Sequence, residues 1–181
     1  MIFHQIRADI NTKRRQVTDG AGNGFLGVLL QRGTLAVMVY RFGRFAREVR
    51  IPLIGHGLKA GYYVLFYLTQ MFTGISIQAY ARIGARFVVR NHTGIFLLAE
   101  SVGSDFTVCE GVTVGNIRGK GRLPIIGDHV YLEPGCKILG DVTIGDNVVI
   151  RANSLVLTDV PSNSIAVGNP ARVLPMTGAQ A

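Results

Sequence analysis

Residues 126–160 read IGDHVYLEPGCKILGDVTIGDNVVIRANSLVLTDV, and their spacing decides the fold. An aliphatic residue returns at every sixth position: Ile126, Leu132, Ile138, Ile144, Ile150 and Val156. Four residues after each comes a second series of mostly small or β-branched residues: Val130, Cys136, Val142, Val148, Ser154 and Val160. Gly, Asp and Asn fill the positions between, as in IGDHVY, ILGDVT and IGDNVV. An amphipathic helix would space its apolar residues three and four apart, and a half-buried strand would alternate them. Neither template reproduces a period of six. The pattern predicts a parallel β-helix, in which each hexapeptide supplies one short strand and one turn and three close a triangular coil of about 18 residues. The aliphatic residue faces inward onto its counterparts in the coils above and below. The small residue fits near a corner, and Gly and Asn permit the turn dihedrals that bulkier side chains resist.

Working outward, the period is visible earlier at Ile77, Ile83 and Val89, and again at Val102, Val108 and Val114. Between Val89 and Val102 the spacing is thirteen, one residue out of phase, and this slip encloses the polar knot Arg90-Asn91-His92-Thr93-Gly94. Residues 115–124, GNIRGKGRLP, keep phase but lose the aliphatic pattern, which predicts an external loop. Residues 1–72 differ in kind. TLAVMVYRFGRFAREV and LKAGYYVLFYLTQMF have helical length and apolar faces, separated by Pro52, Gly55 and Gly57. The expected organisation is therefore a helical cap over 1–72 covering the open end of the solenoid, a β-helix over 73–175, and a tail over 176–181. A sharper reading gives the cap peripheral contact with a membrane surface, through Tyr62, Tyr63, Phe66, Tyr67 and nearby basic residues. The second segment is too short, and too interrupted by Lys59 and Gly61, to span a bilayer.

At 181 residues the chain suits one domain with a small appendage, and its 48% apolar content argues against disorder. Two cysteines, Cys109 and Cys136, lack a CxxC spacing and are too few for a disulfide framework, so a reduced, cytoplasmic location is the default. MIFHQIRADINTKRRQ has no apolar core followed by a small-residue cleavage site, and no secretory leader is expected. The net charge of +8, concentrated in stretches such as Lys13-Arg14-Arg15 and YRFGRFAREVR, favours anionic partners. No nucleic-acid motif accompanies it, so nucleic acid is not expected, nor is a metal.

GISIQAYARIGARF, NHTG, EGVTVGN, ILGDVTIGDNVVIRANSLVLTDVP and GNPARV resemble the hexapeptide-repeat acyltransferases over about residues 35–175. Within that group the chain is most similar to the serine O-acetyltransferases and the colanic-acid-type polysaccharide acetyltransferases. The resemblance implies a mainly β, left-handed β-helix with a short helical cap, acetyl-CoA as co-substrate, a homotrimer, and sites in grooves between neighbouring subunits. It also implies that His92 is the general base. Acetyl transfer to a hydroxyl needs a group to take the hydroxyl proton as the oxygen attacks the thioester, and imidazole titrates near neutral pH. His129 sits at an outward turn position, and His4 and His56 lie outside the repeats. Glu110 follows His92 by eighteen residues, about one coil, so it could orient the base or be an exposed turn carboxylate. Direct transfer needs no covalent enzyme intermediate, which leaves Cys109 a structural role. For acetyl-CoA, the resemblance points to Gly115 and Asn116 at the loop, to the turns Pro134-Gly135 and Ala152-Asn153, and to Arg172 (with Lys137) against phosphate charge.

The acceptor follows from departures. Serine acetyltransferases typically carry DIHP and DRHP motifs, where this chain reads SIQA at 76–79 and GRLP at 121–124. Ser76 stands for an expected aspartate, Leu123 for a histidine, and Asn91 for an acidic neighbour of the base. Ser76, Gln78, Asn91 and Arg122 are thus the expected acceptor-binding residues. The loss of charged groups favours a sugar hydroxyl in an exopolysaccharide, capsule or lipid-linked precursor, acetylated at the inner face of the membrane. The alternative is serine O-acetylation with an altered serine site.

Overall fold

The computed structural model describes residues 2–16, 31–49, 51–91, 93–117, 119 and 121–176. Among the described residues, three helices come first: α1 (Ile2–Gln16), α2 (Arg32–Glu48) and α3 (Pro52–Thr73). Pro52 opens α3, where a missing N–H is harmless, and Gly74 closes it in the left-handed conformation at φ 67°.

Short strands then wind in threes. The first sheet stacks β1 (Ile75–Ile77), β4 (Ile95–Leu97), β7 (Thr113–Gly115), β10 (Lys137–Leu139) and β13 (Leu155–Val156). The second stacks β2 (Arg82–Ile83), β5 (Ser101–Val102), β8 (Ile125–Ile126) and β11 (Thr143–Ile144), continued by a bridge from Ile144 to Val160. The third stacks β3 (Val88–Val89), β6 (Thr107–Val108), β9 (Tyr131–Leu132), β12 (Val148–Ile150) and β14 (Ser164–Val167). All these pairings are parallel, and each strand pairs with the third one along, except that β12 pairs with β14 because the coil between them crosses the second sheet only as the Val160 bridge. The result is a left-handed β-helix of about five coils. A last strand, β15 (Arg172–Pro175), turns back antiparallel on β14.

Both hexapeptide series are inside. Ile126, Leu132, Ile138, Ile144, Ile150 and Val156 are buried, as are Val130, Cys136, Val142, Val148, Ser154 and Val160. The register resolves the slip. Val89 pairs with Val108 and Leu97 with Val114, so the corner after β3 holds eight positions where the next coil uses six. Leu97 to Val102 then runs one residue short of Ile77 to Ile83. Two residues are gained at 90–94 and one is lost at 98–101. The external loop keeps phase for a simpler reason: it adds one hexapeptide's worth of chain between Val114 and Ile126.

Corners stack in columns. After the second sheet, Arg86, Asp105, His129, Asn147 and Asn163 all take positive φ. After the third, Gly94, Gly111, Gly135 and Asn153 do the same. Gly103 marks a different constraint, because a Cβ there would lie 2.5 Å from the backbone of Gly127 one coil on. The aspartates of the IGD turns brace neighbouring coils: Asp128 accepts the Ser104 N–H at 2.6 Å, and Asp146 accepts the Asp128 N–H at 2.7 Å.

The helices close the first coil with side chains. Backbone groups at a solenoid end have no next coil to pair with, and a buried unpaired group is costly. Tyr40 donates to the Ala81 carbonyl at 2.8 Å and accepts the Ile83 N–H at 3.0 Å. Arg41 donates to the carbonyls of Ile83 and Gly84, Asp9 accepts the Phe87 N–H, and Lys13 donates to the Val89 carbonyl at 2.7 Å. Asp9 and Arg41 form a buried ion pair at 2.9 Å. Burial raises the Asp9 carboxyl above its usual range, opposed by Arg41 and by the Phe87 N–H. Two cations that the sequence offered to anionic partners, Lys13 and Arg41, are therefore committed inside the molecule.

On α3, Tyr62 and Phe66 are buried whereas Tyr63, Val64, Leu65, Tyr67, Leu68, Met71 and Phe72 are exposed. No helix among the described residues is long and apolar enough to cross a membrane.

Candidate active site

The corner after the third sheet gathers half of the expected site residues that are described. His92 lies outside the described residues, but its neighbours on both sides are placed. The Thr93 carbonyl accepts the Gly111 N–H at 2.9 Å, holding the turn to the coil beyond. Asn91 donates its side-chain amide to Glu110 Oε2 at 2.6 Å. Two residues gained in this turn and one lost at 98–101 make the coil offset nineteen here, so Glu110 stacks against Asn91.

Next to it, Arg90 donates to the Tyr131 hydroxyl at 3.1 Å, and that hydroxyl lies 3.4 Å from Cys109 Sγ. Burial pushes the Cys109 thiol up, and pushes Cys136 to about 12. Both remain thiols at neutral pH, which suits packing and not nucleophilic attack.

One coil further, Glu133 holds the next turn. Its Oε1 accepts from Arg151 at 2.7 Å and its Oε2 from the Ala152 N–H at 2.9 Å. Sequence reasoning missed this pair, although a signal was available: opposite charges one coil apart, at 133 and 151. The turns expected to meet acetyl-CoA form one column here. Gly135 N–H donates to the Glu110 carbonyl and Asn153 N–H to the Pro134 carbonyl. With Ala152 engaged by Glu133, the N–H groups of Gly135, Ala152 and Asn153 are all committed between coils.

The remaining expected residues lie elsewhere. Gln78, Asn116 and Arg122 belong to the corner after the first sheet, on the opposite edge of β7 from Glu110. Arg122 is exposed on the external loop, whose Ile117 packs over the corner at Gly140. Gly115 is buried in β7, and its carbonyl accepts the Gly140 N–H. Ser76 is buried at 5% exposure, because β1 is the strand of its sheet against which α2 and α3 pack. Ser76 therefore lies apart from the exposed corner residues. Arg172 is exposed on β15, beyond the last coil. One chain thus brings together Asn91, Glu110, Pro134, Gly135, Ala152 and Asn153, and leaves Gln78, Arg122 and Arg172 apart from them. Among the described residues no group of His, Cys, Asp and Glu is placed to hold a metal ion.

With the coils and their corners in place, the comparisons fall on the same fold. Residues 124–158 match the bacterial transferase hexapeptide (six repeats) family. The chain is 43% identical over 157 residues to a serine acetyltransferase of Staphylococcus xylosus, covering 81% of this chain and 71% of that one. The chain belongs to the serine acetyltransferase family.

Among solved structures, a Neisseria gonorrhoeae serine acetyltransferase in complex with serine is similar with a TM-score of 0.78 and 31% identity, covering 94% of this chain and 68% of that chain. A Brucella abortus serine acetyltransferase in complex with coenzyme A is similar with a TM-score of 0.80 and 28% identity, covering 97% and 68%. Membership of the family makes the chain an acetyl-CoA-dependent acyltransferase. It also corrects the acceptor expected from the sequence. The relatives are serine acetyltransferases, not polysaccharide acetyltransferases, so the sugar hydroxyl and the exopolysaccharide setting are overturned. The inference failed because Ser76, Asn91 and Leu123 were read one at a time. Three neutral residues do not make a neutral site when Glu110 stands 2.6 Å from Asn91.

Proposed function

We propose that this protein is a serine O-acetyltransferase, moving the acetyl group of acetyl-CoA to the side-chain hydroxyl of L-serine. The observation that carries the reading is the 43% identity over 157 residues to the Staphylococcus xylosus enzyme. In this reading His92 takes the serine hydroxyl proton as that oxygen attacks the thioester carbonyl. The tetrahedral intermediate collapses, the C–S bond breaks, and the sulfur leaves with a proton returned from the imidazolium. The protonated, buried Cys109 stays out of the covalent chemistry.

The column of turns at Pro134-Gly135 and Ala152-Asn153 is our candidate track for the pantetheine arm, with Arg172 near the phosphates and Gly115 and Asn116, at the other corner, supplied by a neighbouring copy. Because the N–H groups of Gly135, Ala152 and Asn153 are already bonded between coils, these turns offer carbonyl oxygens and the Asn153 side chain. Gln78 and Arg122 reach this groove only from another copy, so the reading includes a homotrimer in which a neighbour's external loop completes each site.

The direct test follows thiol release from acetyl-CoA with and without L-serine, with O-acetylserine identified by mass. Serine-dependent release supports the reading, and its absence at millimolar L-serine rejects it. In the same assay His92→Ala should lower kcat by about 10²–10⁴-fold with little change in acetyl-CoA affinity, the usual range for removal of an acid–base group. Near-wild-type turnover would remove His92 from the mechanism.

A further inference from the structure

Serine carries an ammonium group next to the hydroxyl that reacts. Taking an ammonium out of bulk water requires an anionic oxygen with a lone pair to spare. Along the corner that follows the third sheet, the described residues hold two carboxylates, Glu110 and Glu133. Glu133 is committed on both oxygens, to Arg151 and to the Ala152 N–H. Glu110 is not. Its Oε2 accepts from the neutral Asn91 amide, and no ion pair involves it among the described residues.

That contact has two effects. An amide donor brings no positive charge to the carboxylate, and among the described residues the other oxygen, Oε1, has no donor. The bond also fixes where the charge sits, because Asn91 directly precedes His92 and the amide holds Glu110 at the entrance to that turn. A half-buried carboxylate bonded to the residue that precedes the base in sequence, with no cation paired to it among the described residues, is what an ammonium-bearing acceptor needs in order to present its hydroxyl to the base. Ser76 is buried and Asn91 is neutral, which leaves Glu110 as the anion available at this point of the corner.

We propose that Glu110 anchors the ammonium group of the serine acceptor and determines the preference for an amino acid over a hydroxy acid without that group. The assignment rests on the serine reading above and gives Glu110 a task distinct from orienting the base. Asn91 is its positioning residue, holding the carboxylate through the 2.6 Å bond.

Glu110→Gln tests this with little risk to folding, since the amide oxygen of Gln can still accept from Asn91 and the residue lies at a corner outside the core. Wild type and variant are compared on L-serine and on 3-hydroxypropanoate, which is serine without its ammonium, followed by turnover or by competitive inhibition. The expected result is a KM for L-serine raised about 10–100-fold, the effect of losing one charge-assisted hydrogen bond. The kcat should stay within about twofold, and the constant for 3-hydroxypropanoate should be unchanged. Glu110→Asp should recover part of the serine KM. Equal losses for both ligands carried in kcat would overturn the proposal and place Glu110 on the base. An unchanged serine KM would overturn it too. A wild type inert toward L-serine rejects the serine reading itself, which is seen before any variant is made.

Discussion

Lys13 holds its ammonium among α1, α2 and the first coil, donating to the Val89 carbonyl in a cavity of about 10 Å³ lined also by Asp9, Thr34, Arg41 and Phe87. Burial lowers its pKa from 10.5 to about 8. The unfolded chain keeps that proton up to about pH 10.4, whereas the folded chain releases it near 8. Between those values the unfolded state binds more protons, so stability rises with pH across the window. Below it both states are charged, and the folded one bears the full cost of desolvation. Urea unfolding from pH 7.5 to 9.5 should therefore show wild type gaining about 1–2 kcal/mol relative to Lys13→Met, from the 1.36 kcal/mol attached to each pKa unit. A difference that stays flat would mean the ammonium is hydrated in solution. Nothing in Lys13-Arg14-Arg15 announced this fate. The partner carbonyl lies 76 residues away, and a run of charges reads by default as solvated surface. Glu110 was legible only by half: one coil of separation from the base was visible, but its contact depends on two extra residues at 90–94 that a count from His92 cannot apportion.

The hexapeptide coil is the element the sequence spells out most fully, because each strand repeats the demand of the strand beneath it. Inward aliphatics and small corner residues recur every six positions from residue 126 and are buried there, while the left-handed corners take Gly or Asn at some coils and Arg86, Asp105 or His129 at others. The glycines before the second corner are less obvious. Gly103 has no positive φ to explain it; the reason is the Gly127 backbone, which would stand 2.5 Å from any Cβ added there. Gly103→Ala should force adjacent coils apart and cost about 1–3 kcal/mol, as overpacking of a tight contact does, measured by chemical denaturation. A neutral substitution would show that the corner can flex. The helices were legible as helices from their apolar faces. Their side-chain contacts to the first coil were not, since Tyr40, Arg41 and Asp9 carry no local pattern that points to residues 81–87.

At the scale of the whole molecule, the residues proposed for the site divide between two edges of one sheet, and a single chain holds the two groups apart. The proposed trimer answers that division. Light scattering on a sizing column should give a mass three times 19.6 kDa, or a multiple of it, while a monomer with full activity would rule out the shared site. The exposed apolar residues of α3 were read from the sequence as candidate membrane contacts, yet half of the four aromatics named for that task, Tyr62 and Phe66, are buried. The acceptor was the least legible feature, because substrate charge is matched by the groove as a whole and a groove built from separated coils does not appear in any one motif.

The reversal of β15 has a consequence for how copies of this chain can meet. A rod of parallel coils is by nature a unit for head-to-tail growth: its last coil offers the bonding pattern that another rod's first coil needs, and such heterologous contacts do not close. Here β15 runs antiparallel across β14, and at the other end Asp9, Lys13, Tyr40 and Arg41 occupy backbone groups that an incoming rod would use. Head-to-tail growth is opposed at the third face of one tip and at the first coil of the other, which favours association through the flanks, where a closed ring of subunits can form.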